Sequence, residues 1–225
     1  MDVESSRPRP RVGVTRAAGQ AGELAERVEA VGGEPVLWPL IAIEPLGDAP
    51  IDPSGYDWVV VTSPNGAAEL ARRLVSPPAR LAAIGPGTAA TLRAHGLEPA
   101  LVPADSTQEG LLAELPRPAG RVLLTAAEGA RRLLADELGA DFLPLYRTVE
   151  LAPAETPELD LVLLASPSAA RALARTVARE VAVVVIGPQT AAAARELGLD
   201  VAAEAESHDL DGLVASLRRA LAQKG

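Results

Sequence analysis

Short apolar blocks alternate along the chain with stretches in which alanine and leucine recur at the spacing of a helix. RVGVT at 11–15, WVVVT at 58–62 and LAAIG at 81–85 have the length and composition of buried strands, and a helical pattern follows each of them. One such pattern predicts a helix over 86–94, and another predicts a short helix that opens at Ser106. Because strands that alternate with helices form parallel sheets with helical crossovers, the predicted fold class is α/β.

The same series of blocks occurs twice. RVLLT echoes RVGVT, FLPLYRTVEL echoes VLWPLIAIEPL, LVLLASPSAARAL echoes VVVTSPNGAAEL, VIGPQTAAAARELGL echoes AIGPGTAATLRAHGL, and ESHDLDGLVASL echoes DSTQEGLLAEL. The order is conserved between the two series, and the offset stays near roughly 100 residues, which is the size of a small domain. We therefore predict an internal duplication that produces two similar α/β lobes.

Each series contains a serine and a proline at the junction of a strand and a helix. Ser63 precedes Pro64 in the first series, and Ser166 precedes Pro167 in the second. Such pairs are ordinary helix starts, since serine is a preferred N-cap and proline suits the first turn. The carboxyl ends of parallel strands are also where open α/β sheets bind ligands, and free amides at a helix N-terminus attract anions. Both interpretations stay open for each junction.

Composition narrows the functional classes. The chain has 225 residues, 48% hydrophobic and 23% charged, which is typical of one large or two small globular domains. Cysteine is absent and only His95 and His208 are histidines, so we expect no metal site and treat both as surface residues. The net charge is −9 and the basic residues are scattered, which disfavours nucleic-acid binding.

The remaining features of the composition bear on location and source. No apolar run approaches the roughly 20 residues that span a bilayer, and the first residues lack the apolar segment of a signal peptide. We therefore expect a cytoplasmic protein without a membrane partner. A single lysine and 20 prolines are typical of a GC-rich, thermophilic source.

The paired segments TSPNGA and ASPSAA, the paired IGPGTA and IGPQTA, the segment TQEGLL, and PLYRTVEL around Tyr146 resemble uroporphyrinogen-III synthase. The resemblance extends from about Arg11 to Leu221 and rests on the order and spacing of these motifs. It implies two flavodoxin-like parallel-sheet lobes joined by a two-stranded β-ladder. Lobe 1 would be discontinuous, with residues 1–37 and 150–225, lobe 2 would be residues 47–140, and residues 38–46 and 141–149 would be the linker strands.

The resemblance also implies an activity. That family closes hydroxymethylbilane, a linear tetrapyrrole with eight carboxylates, and inverts ring D through a spiro-pyrrolenine to give uroporphyrinogen III and water. This is a step of heme, siroheme and cobalamin biosynthesis, catalysed by a cyclizing hydro-lyase without a cofactor or a metal. A chain without a strong nucleophile suits a reaction that depends on positioning. We expect a monomer, and a transient handover of substrate from hydroxymethylbilane synthase stays open.

The family's tyrosine corresponds to Tyr146, which would give a proton to the departing hydroxyl; the alternative is a tyrosine that only packs. Replacing Tyr146 with phenylalanine should then slow turnover without abolishing it. Substrate-binding positions correspond to Thr15, Arg16, Thr62, Ser63, Thr88, Ser166, Ser168 and Thr190, where helix capping, or a solvated charge for Arg16, is the alternative. Arg131 and Arg132 are expected on a solvated helix face. The chain departs from the family where Ala126 and Ala127 occupy a turn that carries arginine and glycine in many relatives.

Two other classes follow from the fold alone. One is a non-catalytic, two-lobed α/β protein that binds a small polyanion, and the other is a flavodoxin-like module with a phosphate-bearing cofactor. The second is disfavoured because the chain lacks G-x-G-x-x-G and a P-loop, and has only five aromatic residues to stack on a flavin. The first stays open at this stage.

Overall fold

The structure is a computed structural model, and it describes residues 8–224. In chain order, its strands are β1 (Arg11–Val14), β2 (Glu34–Leu37), β3 (Ile41–Pro45), β4 (Trp58–Val61), β5 (Leu81–Ala83), β6 (Val122–Ala127), β7 (Asp141–Glu150), β8 (Leu161–Leu164), β9 (Val183–Val185) and β10 (Val201–Glu204). The α-helices are α1 (Gly22–Ala30), α2 (Pro64–Arg73), α3 (Pro86–Ala94), α4 (Gln108–Glu114), α5 (Leu133–Leu138), α6 (Pro167–Leu173), α7 (Pro188–Glu196) and α8 (Leu210–Lys224). Strands and helices alternate, so the predicted α/β class is confirmed.

The chain divides into two compact units. Unit 1 consists of Met1–Ala42 and Val149–Gly225, and unit 2 consists of Ile43–Thr148. The sheet of unit 1 has the order β10-β9-β8-β1-β2, and each neighbouring pair is parallel. Numbered along the chain within the unit, these strands follow the 2-1-3-4-5 order of flavodoxin-like sheets.

The sheet of unit 2 has the order β3-β7-β6-β4-β5. β4 pairs in parallel with β5 and β6, and β6 pairs in parallel with β7. Next to β3, the Leu46 amide donates a hydrogen bond to the Leu145 carbonyl at 2.8 Å. Both unit boundaries fall within the two segments that were expected to be linkers.

Both sheets are covered on two faces. Every residue of β4 and of β8 is buried, as expected of central parallel strands with helices on either side. Each unit has two apolar clusters that share no residue. In unit 2, one cluster contains Val59 and Val61 of β4, and the other contains Trp58 and Val60 of the same strand. The alternation of side chains along a strand places these two sets on opposite faces of the sheet.

Three local predictions were wrong. Ala126 and Ala127 belong to β6 rather than to a turn, because the strand keeps pairing with β7 as far as Ala127 opposite Tyr146. The N-cap of α4 is Thr107 rather than Ser106, since its side chain accepts the Gly110 amide at 3.0 Å.

The third error concerns the two arginines before α5. Arg132 is the N-cap residue of α5, and Arg131 precedes it, so neither lies within the helix. The start of α5 is held by the buried Gln108 side chain, which donates to the Arg131 carbonyl at 3.0 Å and accepts the Leu134 amide at 3.3 Å.

Among the described residues, no helix combines the length and the apolar character that crossing a membrane requires.

Candidate functional site

The junction of β4 and α2 in unit 2 is built around Ser63. The backbone of Ser63 is extended, with φ −164° and ψ 155°, which is the conformation that a following proline favours. Pro64 then begins the helix, and the Ser63 Oγ accepts the Gly66 amide at 3.0 Å. The side chain of Ser63 therefore satisfies one of the free amides of the first turn, as an N-cap should.

Tyr146 reaches the same oxygen from β7. Its hydroxyl donates to the Ser63 Oγ at 2.9 Å, and the residue is only 7% exposed. The ring packs in the apolar cluster of unit 2 that includes Val61 and Ala67. A Cβ at Gly66 would lie 3.1 Å from Ser63 Oγ, which is closer than ordinary contact, so glycine here suits the close approach of the Ser63 side chain to the start of α2.

A second helix begins beside this contact. α3 starts after Gly85 at the end of β5, and the N-termini of α2 and α3 are close, since a Cβ at Gly87 would lie 3.9 Å from Pro64 Cγ. Thr88, in the first turn of α3, is 3% exposed. Gly85 cannot be replaced freely, because a Cβ there would lie 2.6 Å from Ser106 Oγ. Two helix N-termini with positive dipole ends thus face the region around Ser63 and Tyr146.

Unit 1 has a related arrangement without a tyrosine. The Ser166 Oγ accepts the Ala169 amide at 3.2 Å and so caps α6, while the Ser168 Oγ accepts from Arg171 Nη2 at 2.9 Å. Thr190 lies in the first turn of α7 and is 3% exposed. In the predicted repeat, alignment of Pro144 with Pro39 places Ile41 at the position of Tyr146, and Ile41 is buried.

Threonine hydroxyls bind the central strands together in both units. Thr15 donates to the Leu163 carbonyl at 2.7 Å, and Thr125 donates to the Val60 carbonyl at 3.1 Å; both residues are fully buried. Thr62 donates to the Thr125 carbonyl at 3.3 Å. Sequence reasoning missed Thr125, although RVLLT ends with the same residue as RVGVT and the match was available as a signal.

Arg16 differs in its surroundings from the other arginines near these residues. Arg147 forms an ion pair with Glu44 at 2.8 Å, and the hydrogen bond that it donates to that carboxylate raises the pKa of Arg147. Arg16 is half-buried and forms no ion pair within residues 8–224. Burial lowers the pKa of Arg16, and the more distant charge of Glu23 opposes this effect. A partly desolvated cation without a carboxylate partner is suited to bind an anion.

The histidines and carboxylates form no metal site in the part of the chain that the structure describes, where no three such groups converge. His95 is the exposed C-cap residue of α3. His208 is exposed too, but it lies at the start of α7, where a Cβ at Gly187 would be 2.9 Å from its Cδ2 atom.

Of the predicted site residues, the structure brings Ser63 and Tyr146 into direct contact. Thr62, adjacent to Ser63, is half-buried at the same strand end. The hydroxyls of Thr15, Thr62, Ser166 and Ser168 have partners within the protein. Contact of these residues, or of Arg16, Thr88 and Thr190, with a ligand stays a prediction.

Comparison with known proteins agrees on one family. The model of the family described as uroporphyrinogen-III synthase HemD matches residues 22–215. The chain is 26% identical to uroporphyrinogen-III synthase of Synechococcus elongatus, over 91% of this chain and 93% of that protein. It is 30% identical to the chloroplastic uroporphyrinogen-III synthase of Oryza sativa subsp. japonica, over 98% of this chain and 84% of that protein.

Solved structures support the fold. Uroporphyrinogen-III synthetase from Helicobacter pylori matches with a TM-score of 0.67 and 19% identity, over 96% of this chain and 100% of that one. A mutant uroporphyrinogen III synthase from Thermus thermophilus matches with a TM-score of 0.61 and 22% identity, over 96% and 100% of the two chains. The α/β architecture is therefore one that solved proteins share.

Proposed function

The chain belongs to the uroporphyrinogen-III synthase family, and we propose on that premise that it cyclises hydroxymethylbilane with inversion of ring D. The observation that carries the function is the match of the family model across residues 22–215, which covers unit 2 and most of unit 1. The protein is an enzyme of tetrapyrrole biosynthesis that makes uroporphyrinogen III. The alternative of a non-catalytic polyanion-binding protein is not favoured.

The proposed reaction begins when the terminal hydroxyl leaves the bilane. The C–O bond breaks with its electron pair on oxygen, and the pyrrole nitrogen supplies electrons to form an azafulvene. Attack from the substituted carbon of ring D gives a spiro-pyrrolenine, and fragmentation and reclosure invert the ring. No step changes the oxidation level of the substrate, and water is eliminated, so the enzyme is a hydro-lyase. Its main task is to position the bilane and to assist the departure of water.

We propose Tyr146 as the acid that gives its phenolic proton to the departing hydroxyl. Its contact with Ser63 and its packing in unit 2 support this role, because a general acid must be held in one orientation. A buried tyrosine that only packs would also need a partner for its hydroxyl, so the activity of Tyr146→Phe is the observation that separates the two roles.

The carboxylates of the substrate are proposed to bind to several weak donors rather than to one strong one. The candidates are the first-turn amides of α2, α3 and α7, together with Arg16, Thr15, Thr62, Ser63, Thr88, Ser166, Ser168 and Thr190. The unpaired guanidinium of Arg16 is the strongest electrostatic candidate. With the load shared, loss of one neutral hydrogen bond should cost about 1 kcal/mol.

The decisive experiment supplies hydroxymethylbilane to the purified protein and identifies the uroporphyrin isomer after oxidation. We expect the type III isomer at a rate proportional to enzyme concentration. Type I alone, formed at the spontaneous rate, would refute the activity. A Tyr146→Phe variant assayed alongside should retain the type III product at a reduced rate.

Further proposals concern organisation. We propose that residues 38–46 and 141–149 act as linkers between the two units, and that the enzyme is a cytoplasmic monomer that accepts its substrate from hydroxymethylbilane synthase. Light scattering tests the monomer directly, since a dimer would double the measured mass. Sedimentation of the two enzymes together tests the handover.

A further inference from the structure

We propose that Ser63 is a positioning residue for catalysis, whose hydroxyl turns Tyr146 into a proton donor toward the substrate. This inference rests on the proposed role of Tyr146, and it assigns to Ser63 a task beyond capping α2. Two hydrogen bonds carry it: the one from the Gly66 amide at 3.0 Å and the one between the hydroxyls of Ser63 and Tyr146 at 2.9 Å.

The hydrogen-bond capacity of the two hydroxyls allows two arrangements. Each hydroxyl has one proton to donate and two lone pairs that accept. In the free protein Tyr146 donates to Ser63, so the phenolic proton is occupied. If the Ser63 hydroxyl rotates, Ser63 donates to Tyr146 instead, and the phenolic proton becomes available to another acceptor. Neither oxygen has to move, because the distance of 2.9 Å suits both arrangements.

The second arrangement aligns all donors in one direction. The Gly66 amide donates to Ser63, Ser63 donates to Tyr146, and Tyr146 donates to the leaving oxygen of the substrate. Each bond in such a chain polarises the next, and the first lies at the positive end of the α2 dipole. When Tyr146 gives up its proton, the Ser63 donor remains directed at the phenolate oxygen and stabilises the charge that develops there.

The proton balance requires no further reactant. The substrate hydroxyl takes the phenolic proton and leaves as water when the C–O bond breaks. The ring carbon that forms the last bond loses a proton as the pyrrole becomes aromatic again, and that proton restores the phenol. The Ser63 proton remains on Ser63 throughout.

Unit 1 indicates that this pairing is not a requirement of capping. Ser166 caps α6 through the Ala169 amide at 3.2 Å, and the residue that corresponds to Tyr146 in the predicted repeat is Ile41, which has no hydroxyl. The same serine and proline junction therefore forms a cap without a phenol. The hydroxyl contact at Ser63 is an addition that unit 2 alone carries within the described residues.

The test is a double-mutant cycle with Ser63→Ala, Tyr146→Phe and the combined variant, measured as the initial rate of type III isomer formation at saturating substrate. We expect Ser63→Ala to lower kcat by about 10-fold, since it removes a donor to a developing charge. The combined variant should be no slower than Tyr146→Phe alone, because Ser63 acts through the phenol. In this inference the single Ser63 proton is directed at Tyr146 and not at a substrate carboxylate, so KM should change little in Ser63→Ala.

Control variants separate this role from helix stability. Thr107→Ala removes an N-cap of the same unit with the same 3.0 Å geometry and no tyrosine, and it should lower the Tm while leaving kcat unchanged. Ser63→Thr keeps the hydroxyl and should restore kcat. Ser63→Asp keeps a good cap but only accepts, so it should fold and still be slow, which preserves the test if Ser63→Ala is unstable.

The outcomes distinguish the two levels of the argument. Wild-type protein that yields only the type I isomer overturns both the proposed function and this inference. Wild-type protein that yields type III, with the Ser63→Ala and Tyr146→Phe effects on kcat simply multiplying, overturns the inference alone. Full activity in Ser63→Asp would also overturn it, because an acceptor without a proton would then suffice.

Discussion

Arg73 is a buried arginine at the end of α2 whose hydrogen bonds go to main-chain carbonyls. The residue is 8% exposed; its Nε donates to the Ala49 carbonyl at 2.9 Å and its Nη1 donates to the Leu46 carbonyl at 3.3 Å. Within residues 8–224 it forms no ion pair. The guanidinium thus fastens the segment that follows β3 to the helix that carries Ser63 at its other end.

The expected cost of replacing Arg73 follows from these contacts. Arg73→Met keeps a long unbranched side chain but removes two hydrogen bonds from a charged donor to main-chain carbonyls. Each of these hydrogen bonds contributes about 1.5 kcal/mol. A favourable interaction of about 0.5 kcal/mol with the helix C-terminus is also lost. The variant no longer has to desolvate a charged guanidinium, and this offsets part of the loss. We therefore expect a net destabilisation of unit 2 by about 2–3 kcal/mol.

The neighbouring residue provides a matched control. Arg72 has the same chemistry and forms ion pairs with Asp48 at 2.8 Å and with Glu69, but its side chain is 47% exposed. Exposed ion pairs contribute little, so Arg72→Met should cost at most about 1 kcal/mol. The comparison therefore measures how much two buried hydrogen bonds to carbonyls stabilise unit 2 relative to two exposed salt bridges.

Urea denaturation measured by tryptophan fluorescence can report on unit 2 by itself. The chain has two tryptophans, Trp38 in unit 1 and Trp58 in unit 2, so a Trp38→Phe background leaves one reporter. We expect a lower midpoint for Arg73→Met at an unchanged slope. Equal shifts for Arg72→Met and Arg73→Met, or a larger shift for Arg72→Met, would refute the reasoning.

Three further predictions concern binding, chemistry and pH. Arg16→Gln should raise KM about 10-fold without lowering kcat. Arg195→Gln, which removes an exposed charge of the same unit, should leave KM unchanged, and steady-state kinetics at two salt concentrations would reveal the difference. Tyr146→Phe should slow formation of the type III isomer about 10-fold to 100-fold in a discontinuous isomer assay, and complete loss of activity with an intact fold would contradict a positioning mechanism. The Tyr56 hydroxyl, followed by Arg121, lowers the pKa of Asp141 from its ordinary value. The stability from these contacts is present above the unfolded pKa and lost as pH falls through the lower folded pKa, so Asp141→Asn should flatten the decrease in unfolding free energy as pH falls below about 4 in urea titrations.

Local signals in the sequence predicted the regular elements well. The helix expected over 86–94 begins at Pro86 and ends at Ala94. Its limits are encoded nearby, by a glycine and proline at the start and a histidine and glycine at the end. The β-branched blocks became buried central strands for the same reason, since strand length and apolar character are properties of the segment itself.

The contacts that define the site depend on residues distant in sequence. Ser63 and Tyr146 are separated by 83 positions, and nothing in either segment alone indicates their contact. The start of α5 depends on Gln108, which lies on another helix, and this explains why Arg131 and Arg132 were assigned wrongly. In the sequence alone, Arg73 cannot be told from a solvated charge. Its partners are main-chain carbonyls, and the pattern of side chains does not indicate such contacts.

The discontinuity of unit 1 has a consequence for how the nascent chain folds on the ribosome. Its β1 pairs with β8, so that the Arg11 amide meets the Asp160 carboxylate across 149 positions of chain. Unit 2 is one continuous segment that ends at Thr148, and all of it is synthesised before β8, one of the two partners of β1, has been made. Because segments fold as they emerge, unit 2 can complete its sheet during translation while one edge of the apolar strand Val12–Val14 still lacks β8. In the nascent chain this edge of β1 therefore stays unpaired until β8 emerges, and it is where a ribosome-associated chaperone would act.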